Sequence, residues 1–131
     1  MKIILKNIEY ENDCIYVTGV TSIGSIKGIW SYSEKPIIDQ EYFCELSIND
    51  INRNEISVVR NTDFHSKVLV DKREVIFKGV CEEIDEIYVI RFAEDWIEMI
   101  AIIDDDFSIK KGDSIQFSTN CECISIYPWR V

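Results

Sequence analysis

The chain has 131 residues, of which 47% are hydrophobic and 29% charged, and its formal net charge is −10. This length and apolar content suit one domain with one sizeable core and exclude a disordered acidic tail. The acidic balance disfavours nucleic acid as a partner, because affinity for phosphates comes largely from lysine and arginine.

The kind of hydrophobic residue predicts the fold class. There are 24 isoleucines and 10 valines, but only 3 leucines and 2 alanines. Side chains branched at Cβ crowd a helix and suit a pleated sheet, whereas leucine and alanine are strong helix formers. We therefore predict a single all-β domain over residues 1–131.

Short apolar runs between turn residues predict the strands. In chain order they are Lys2–Tyr10, Cys14–Val20, Ser25–Trp30, Glu41–Ile48, Ile56–Arg60, Lys67–Val70, Val75–Cys81, Ile87–Phe92, Trp96–Ile103, Ser114–Phe117 and Cys121–Trp129. A short helix fits only at Asn49–Asn54. Many short strands at this spacing predict a small antiparallel barrel or sandwich, and the residues from Val75 onward form an OB-like meander in the C-terminal half. The pattern leaves the strand order of residues 1–60 open.

The N-terminal apolar run Ile3–Leu5 is too short for the core of a signal peptide, and no apolar run approaches a membrane span. We therefore expect a cytoplasmic protein without a membrane partner. Thiols stay reduced in that compartment, so the cysteines are predicted to be free and to pack as small hydrophobes. They are Cys14, Cys44, Cys81, Cys121 and Cys123.

Residues 82–106 carry nearly all of the charge imbalance, −9 of the total −10. The stretch contains ten acidic residues and one base, Arg91. The acidic residues are Glu82, Glu83, Asp85, Glu86, Glu94, Asp95, Glu98, Asp104, Asp105 and Asp106. A charge concentrated in this way suggests a cationic protein partner, because charge complementarity speeds association and rejects wrong partners.

Turns alternate between the two ends of a meander, which predicts where these carboxylates gather. The turn after Val75–Cys81 and the exit from Trp96–Ile103 should lie at one end. We call the seven carboxylates of that end the acidic pole: Glu82, Glu83, Asp85, Glu86, Asp104, Asp105 and Asp106. The turn with Glu94 and Asp95 should lie at the opposite end. These nine carboxylates and Trp96 are the predicted partner-binding residues.

The tryptophans have two interpretations. Trp30, Trp96 and Trp129 are predicted to be half-buried anchors of the fold. Trp96 lies next to Glu94 and Asp95 in the sequence, and an exposed tryptophan beside a charged turn is typical of an interface hot spot. The acidic pole also has a second interpretation, as a solvated end that only keeps the protein soluble.

Metal binding and catalysis have little support. Neighbouring side chains on a strand point to opposite faces, and Asp104–Ser108 lacks the spacing of a calcium loop. In an extended segment, Cys121 and Cys123 would share a face, but zinc needs two further ligands. His65 is the only histidine, and no nucleophile elbow or phosphate loop is present. We expect no metal, no cofactor and no catalytic residue.

Several segments resemble small acidic bacterial β-barrel proteins. They are Gly28–Trp30, Tyr42–Ile48, Phe77–Val80, Lys111–Phe117 and Ile124–Trp129. The last three look like an OB-type barrel, with a glycine in the first strand, a meander, a turn glycine and a last strand that ends in Tyr-Pro.

Proteins of this kind include immunity proteins of polymorphic toxin systems. The resemblance implies a non-enzymatic, cytoplasmic inhibitor that binds a cognate toxin and blocks its active site. An acidic surface would suit a basic toxin. The alternative is a structural or small-ligand-binding β-barrel with no toxin partner.

Overall fold

The fold is built from β-strands, as the excess of isoleucine and valine predicts. A computed structural model describes residues 1–49, 56–59, 65–84, 87–101 and 109–129. The strands in these ranges are β1 (Lys2–Glu11), β2 (Cys14–Thr21), β3 (Gly24–Trp30), β4 (Glu41–Ile48), β5 (Ser57–Val58), β6 (Lys67–Asp71), β7 (Glu74–Ile84), β8 (Ile87–Ala93), β9 (Trp96–Ala101), β10 (Ser114–Asn120) and β11 (Ile124–Pro128). The prediction of a small all-β barrel is confirmed.

Five strands close into a ring. β1 pairs antiparallel with β2 and β4, and β2 pairs antiparallel with β3. β11 joins the two open sides, because it pairs parallel with β3 and antiparallel with β4. The resulting order, β1-β2-β3-β11-β4, is a closed five-stranded barrel. The ring therefore takes its strands from the first 48 residues and the C-terminal segment, whereas the predicted meander lies outside it.

Glycine permits two close contacts around this ring. A Cβ atom on Gly28 of β3 would lie 2.8 Å from the carbonyl oxygen of Ile124 on β11. Gly24, at the start of β3, has a φ of +135°, and a Cβ atom there would lie 2.0 Å from the carbonyl oxygen of Val68 on β6. The first contact closes the barrel, and the second joins the barrel to the remaining strands.

Tight turns set the registers of the hairpins. Asn12 and Asp13 between β1 and β2 have φ angles of 50° and 63°, which are the left-handed values that a two-residue hairpin turn requires. Lys72 between β6 and β7 has a φ of 57°. The predicted turns at these positions are confirmed.

β7 connects the barrel side of the molecule to the meander. Its first half pairs with β6 on one edge and with β10 on the other. Beyond Lys78 the partner on the β6 edge is β8, which in turn pairs with β9. The predicted meander β7-β8-β9 is confirmed.

One continuous hydrophobic core fills the barrel and extends under the meander. In the barrel, Ile3, Leu5, Ile26 and Ile126 have no exposed surface. The predicted alternation of β4 is confirmed, since Cys44 is buried and its partners on that face pack against the core.

Two predicted elements differ or lie elsewhere. Cys121–Cys123 forms a 3₁₀ turn instead of extended strand, because the Asn120 side chain accepts a hydrogen bond from the backbone N–H of Glu122 at 3.0 Å. The predicted helix at Asn49–Asn54 falls outside the described residues except for Asn49, which follows β4. Within the described ranges, the chain contains no helix of the length and apolar character needed to cross a membrane.

Candidate functional site

The ends of the meander lie where the turn argument places them. Ile87 pairs with Ala101, so the β7–β8 connection and the end of β9 lie at the same end. Ala93 pairs with Trp96, so the β8–β9 turn lies at the opposite end. The backbone frame of the predicted acidic surface is therefore present.

Most of the acidic pole falls outside the described side chains. Asp85, Glu86, Asp104, Asp105 and Asp106 lie outside the described residues, and Glu83 is described only as part of β7. The gathering of seven carboxylates at one end stays a prediction.

Glu82 is neutralised locally. The Nε of Arg91 donates a hydrogen bond to Glu82 Oε1, and its Nη1 donates to the backbone carbonyls of Ala93 and Glu94 at 3.2 and 3.0 Å. Arg91 is the only base between residues 82 and 106. This base therefore also ties the β8–β9 turn to β8.

Glu94 and Asp95 are exposed carboxylates at the tip of the β8–β9 turn, and the charge of Glu94 also acts on the nearby Arg91 guanidinium. Both are exposed, and neither forms an ion pair with any residue that the structure describes. They are the part of the predicted partner-binding set that the structure shows to be accessible.

Trp96 is buried, with 3% of its surface exposed, so the alternative of an exposed hot spot at this position is wrong. Its ring packs against Phe92 at 4.9 Å and Phe77 at 6.1 Å between centroids. The alternation of β9 points Trp96 inward, whatever the charge of its neighbours in the sequence. Trp30 is likewise buried, so half-burial is wrong for these two tryptophans, whereas Trp129 is 59% exposed.

Apolar side chains occupy the outer face of the meander, which we define by Val89, Arg91, Ile97 and Met99. Ile97 is 42% exposed and Met99 is 71% exposed. They lie opposite Arg91 and Val89 in the register of β8 and β9. Our sequence reasoning missed this pair, although alternation from an inward Trp96 would have placed both residues outside.

A cleft of about 500 Å³ separates the outer surface of β4 from β9. We call it the β4–β9 cleft. Its lining includes Glu45 and Ser47 of β4, Trp96, Glu98 and Met99 of β9, and Trp129 beyond β11. The cleft thus lies between a barrel strand and the last described strand of the meander.

Glu98 is the most perturbed carboxyl group of the described residues. Burial raises its pKa from 4.5 to about 7, while the hydrogen bond from Trp96 lowers it and the charge of Glu45 raises it. The indole Nε1 of Trp96 donates to Glu98 Oε1 at 2.9 Å. Perturbed groups in clefts are candidates for functional sites. The sequence pattern showed Glu98 only as one acidic strand residue.

The thiols are free, and three of the five are buried. Burial raises the pKa of the Cys44 thiol to about 11, so this group packs as a small hydrophobe and is not a nucleophile at neutral pH. Cys121 and Cys123 lie on the 3₁₀ turn. In the part of the chain that the structure describes, no three histidine, cysteine, aspartate or glutamate side chains converge to hold a metal ion.

Comparison with protein families, with curated proteins and with solved structures gives no match to this chain.

Proposed function

We propose that this protein is a non-enzymatic, cytoplasmic binding protein of the immunity type, which neutralises a cognate basic bacterial toxin through its acidic meander. One observation carries the proposal. Within the stretch that holds −9 of the net charge, the described residues include β8 and β9, whose outer face exposes Ile97 and Met99.

An apolar centre with a charged surround is the usual anatomy of a protein interface. Methionine is enriched at such centres, and its side chain adapts to an irregular partner surface. Glu94 and Asp95 at the adjacent turn supply unpaired negative charge. This arrangement favours a partner that presents an apolar patch within a basic surface.

The negative charge of the protein also favours one class of ligand over another. OB-type barrels often bind oligonucleotides, but a fold does not fix a function. The acidic surface would repel a phosphate backbone. A protein partner therefore suits this barrel better than a nucleic acid.

The direct test is coexpression with the product of the neighbouring gene, followed by pull-down and a growth assay. We expect the neighbouring product to be toxic alone, and to be captured and silenced in the presence of this protein. A neighbouring product that is neither toxic nor bound would reject the immunity function.

Charge reversal then tests which surface is used. We expect the double variant Glu94→Lys/Asp95→Lys to associate at least tenfold more slowly at low salt, with a weaker salt dependence. The matched control is Asp71→Lys/Glu122→Lys, which changes the net charge equally at exposed positions outside the meander. Equal slowing by both pairs would show that total charge matters and that the β8–β9 turn has no special role.

A further inference from the structure

We propose that the β4–β9 cleft receives the side chain of one lysine or arginine of the protein partner. This inference rests on the proposed function, because it names the group of the basic partner that enters the protein. The proposed function uses the outer face of the meander and the β8–β9 turn, and it gives no role to the β4–β9 cleft.

The cleft is lined by carboxyl groups and by apolar side chains. Glu98 from β9 and Glu45 from β4 contribute carboxylates from its two sides, and Asp95 lines one end. The indole of Trp129 and the thioether of Met99 are exposed along it. Lysine and arginine have an apolar stem and a charged head, so they match such a lining along their whole length. An indole face also attracts a cation directly.

The negative charge of the cleft is only partly compensated within the described ranges. No lysine or arginine there forms an ion pair with Glu45 or Glu98. The amino group of Met1 lines the cleft, donates a hydrogen bond to the carbonyl of Cys44 at 3.0 Å and lowers the pKa of Glu98 through its positive charge. The carboxyl groups of Glu45, Asp95 and Glu98 nevertheless outnumber this amino group. A partially desolvated carboxylate gains more from a cation than an exposed one does, because solvent screens it less.

The receiving carboxylate is held in place before the ligand arrives. Trp96 donates to one oxygen of Glu98, and the packing against Phe77 and Phe92 fixes the Trp96 ring. The other oxygen, Oε2, accepts no hydrogen bond from a described residue and can accept one from an ammonium or guanidinium group. Preorganisation of this kind reduces the entropy lost on binding.

Small organic cations with the head group of lysine or arginine can test the cleft without the partner. Titrating the protein with such probes measures binding of the head group directly. The probes are the Nα-acetyl methylamides of lysine, arginine and norleucine. We expect the first two, but not the neutral norleucine compound, to shift the indole Nε1–H resonances of Trp96 and Trp129 in NMR spectra. The absence of any shift at millimolar lysine and arginine probe would overturn the inference.

The decisive variant is Glu98→Gln, which keeps an oxygen to accept the Trp96 hydrogen bond but removes the charge. We expect at least tenfold weaker binding of both cationic probes, because charge-assisted hydrogen bonds are markedly stronger than neutral ones. The control Glu122→Gln removes an exposed charge outside the cleft and should bind as the wild type does. Equal affinity of the wild type and Glu98→Gln would contradict a site in the cleft.

The pH dependence adds a second readout. Glu98, Glu45, Asp95 and the Met1 amino group are the titratable groups that line the cleft with charge. Since the pKa of Glu98 is about 7, its negative charge is lost as the pH falls through 7. Probe affinity should therefore fall several-fold from pH 8 to pH 6 in the wild type and clearly less in Glu98→Gln. A wild-type affinity that is constant over this range would overturn the role of Glu98.

The outcomes separate this inference from the proposed function. If the cationic probes bind and no toxic partner exists, the cation site stands and the immunity function fails. If a toxic partner binds equally well to the wild type and to Glu98→Gln, the immunity function stands and the role of the cleft fails.

Discussion

Glu98 shows how one residue can carry a conflict between stability and binding. Its carboxyl group lies in a cleft where burial disfavours the charged form, and the Trp96 hydrogen bond offsets only part of that penalty. The same desolvation that makes the charge costly makes it a stronger attractor for a cation.

The raised pKa of Glu98 predicts a specific pH dependence of stability. In the unfolded chain this group has a pKa near 4.5, whereas in the folded protein it has a pKa of about 7. As the pH rises, the unfolded state therefore loses its proton first, and folding stability falls between about pH 4.5 and pH 7. The total loss of folding stability is about 3 kcal/mol at most, since a difference of one between the folded and unfolded pKa corresponds to about 1.4 kcal/mol.

Glu98→Gln removes this dependence. We expect the stability of the variant relative to the wild type, measured as the difference in free energy of unfolding, to be about 2 kcal/mol higher at pH 8 than at pH 5. Urea denaturation at the two pH values measures the difference, with Glu94→Gln as the exposed control. A relative stability that is the same at both pH values would show that Glu98 ionises normally.

At the scale of elements, β11 decides whether the barrel is closed. It inserts between β3 and β4 and forms the parallel pair with β3. The backbone of Ile124 approaches Gly28 so closely that a Cβ atom would lie 2.8 Å from its carbonyl oxygen and 2.9 Å from its Cγ2 atom. The absence of a side chain at Gly28 therefore allows the last strand to enter the ring.

Gly28→Ala should loosen this closure. The added methyl group overpacks a buried strand junction, and we expect a loss of about 1–3 kcal/mol in the free energy of unfolding. Urea denaturation measures the loss, and Ser25→Ala on the same strand is the control because serine already carries a Cβ atom, so alanine adds no bulk there. A Gly28→Ala variant as stable as the wild type would mean that β3 and β11 can separate without penalty.

The whole molecule is two regions that share one core. The barrel interior and the cluster of Phe77, Phe92, Trp96 and Phe117 belong to one continuous set of buried side chains. Phe77 lies at the centre of this cluster and stacks on Phe117 at 5.0 Å. The meander that bears the charge is thus anchored to the rest of the protein through apolar contacts.

A shared core predicts cooperative unfolding. We expect Phe77→Leu to lower the free energy of unfolding by about 0.5–3 kcal/mol, the usual range for a point substitution. Far-UV circular dichroism, which reports on all strands, and tryptophan fluorescence should shift to the same lower urea midpoint. Separate midpoints for the two signals would show that the barrel and the meander unfold independently.

The sequence by itself determined the β class, the turn positions and the local hairpins. These depend on side-chain branching, on alternation and on residues that accept left-handed φ angles, all of which act over a few neighbouring positions. The sequence also located the charge, since charge is counted from residue types alone. The same local rules would have placed Ile97 and Met99 outside if alternation had been followed from Trp96.

Only the tertiary structure decided the ring order, the burial of Trp96 and the existence of the β4–β9 cleft. Each joins residues that are distant in the chain: β3 meets β11, Trp96 meets Phe77, and Glu98 approaches Glu45. Such contacts depend on how complete sheets pack, and no pattern within one strand encodes them. For the same reason, the pKa of Glu98 follows from its burial between two strands and could not be predicted from its position in the sequence.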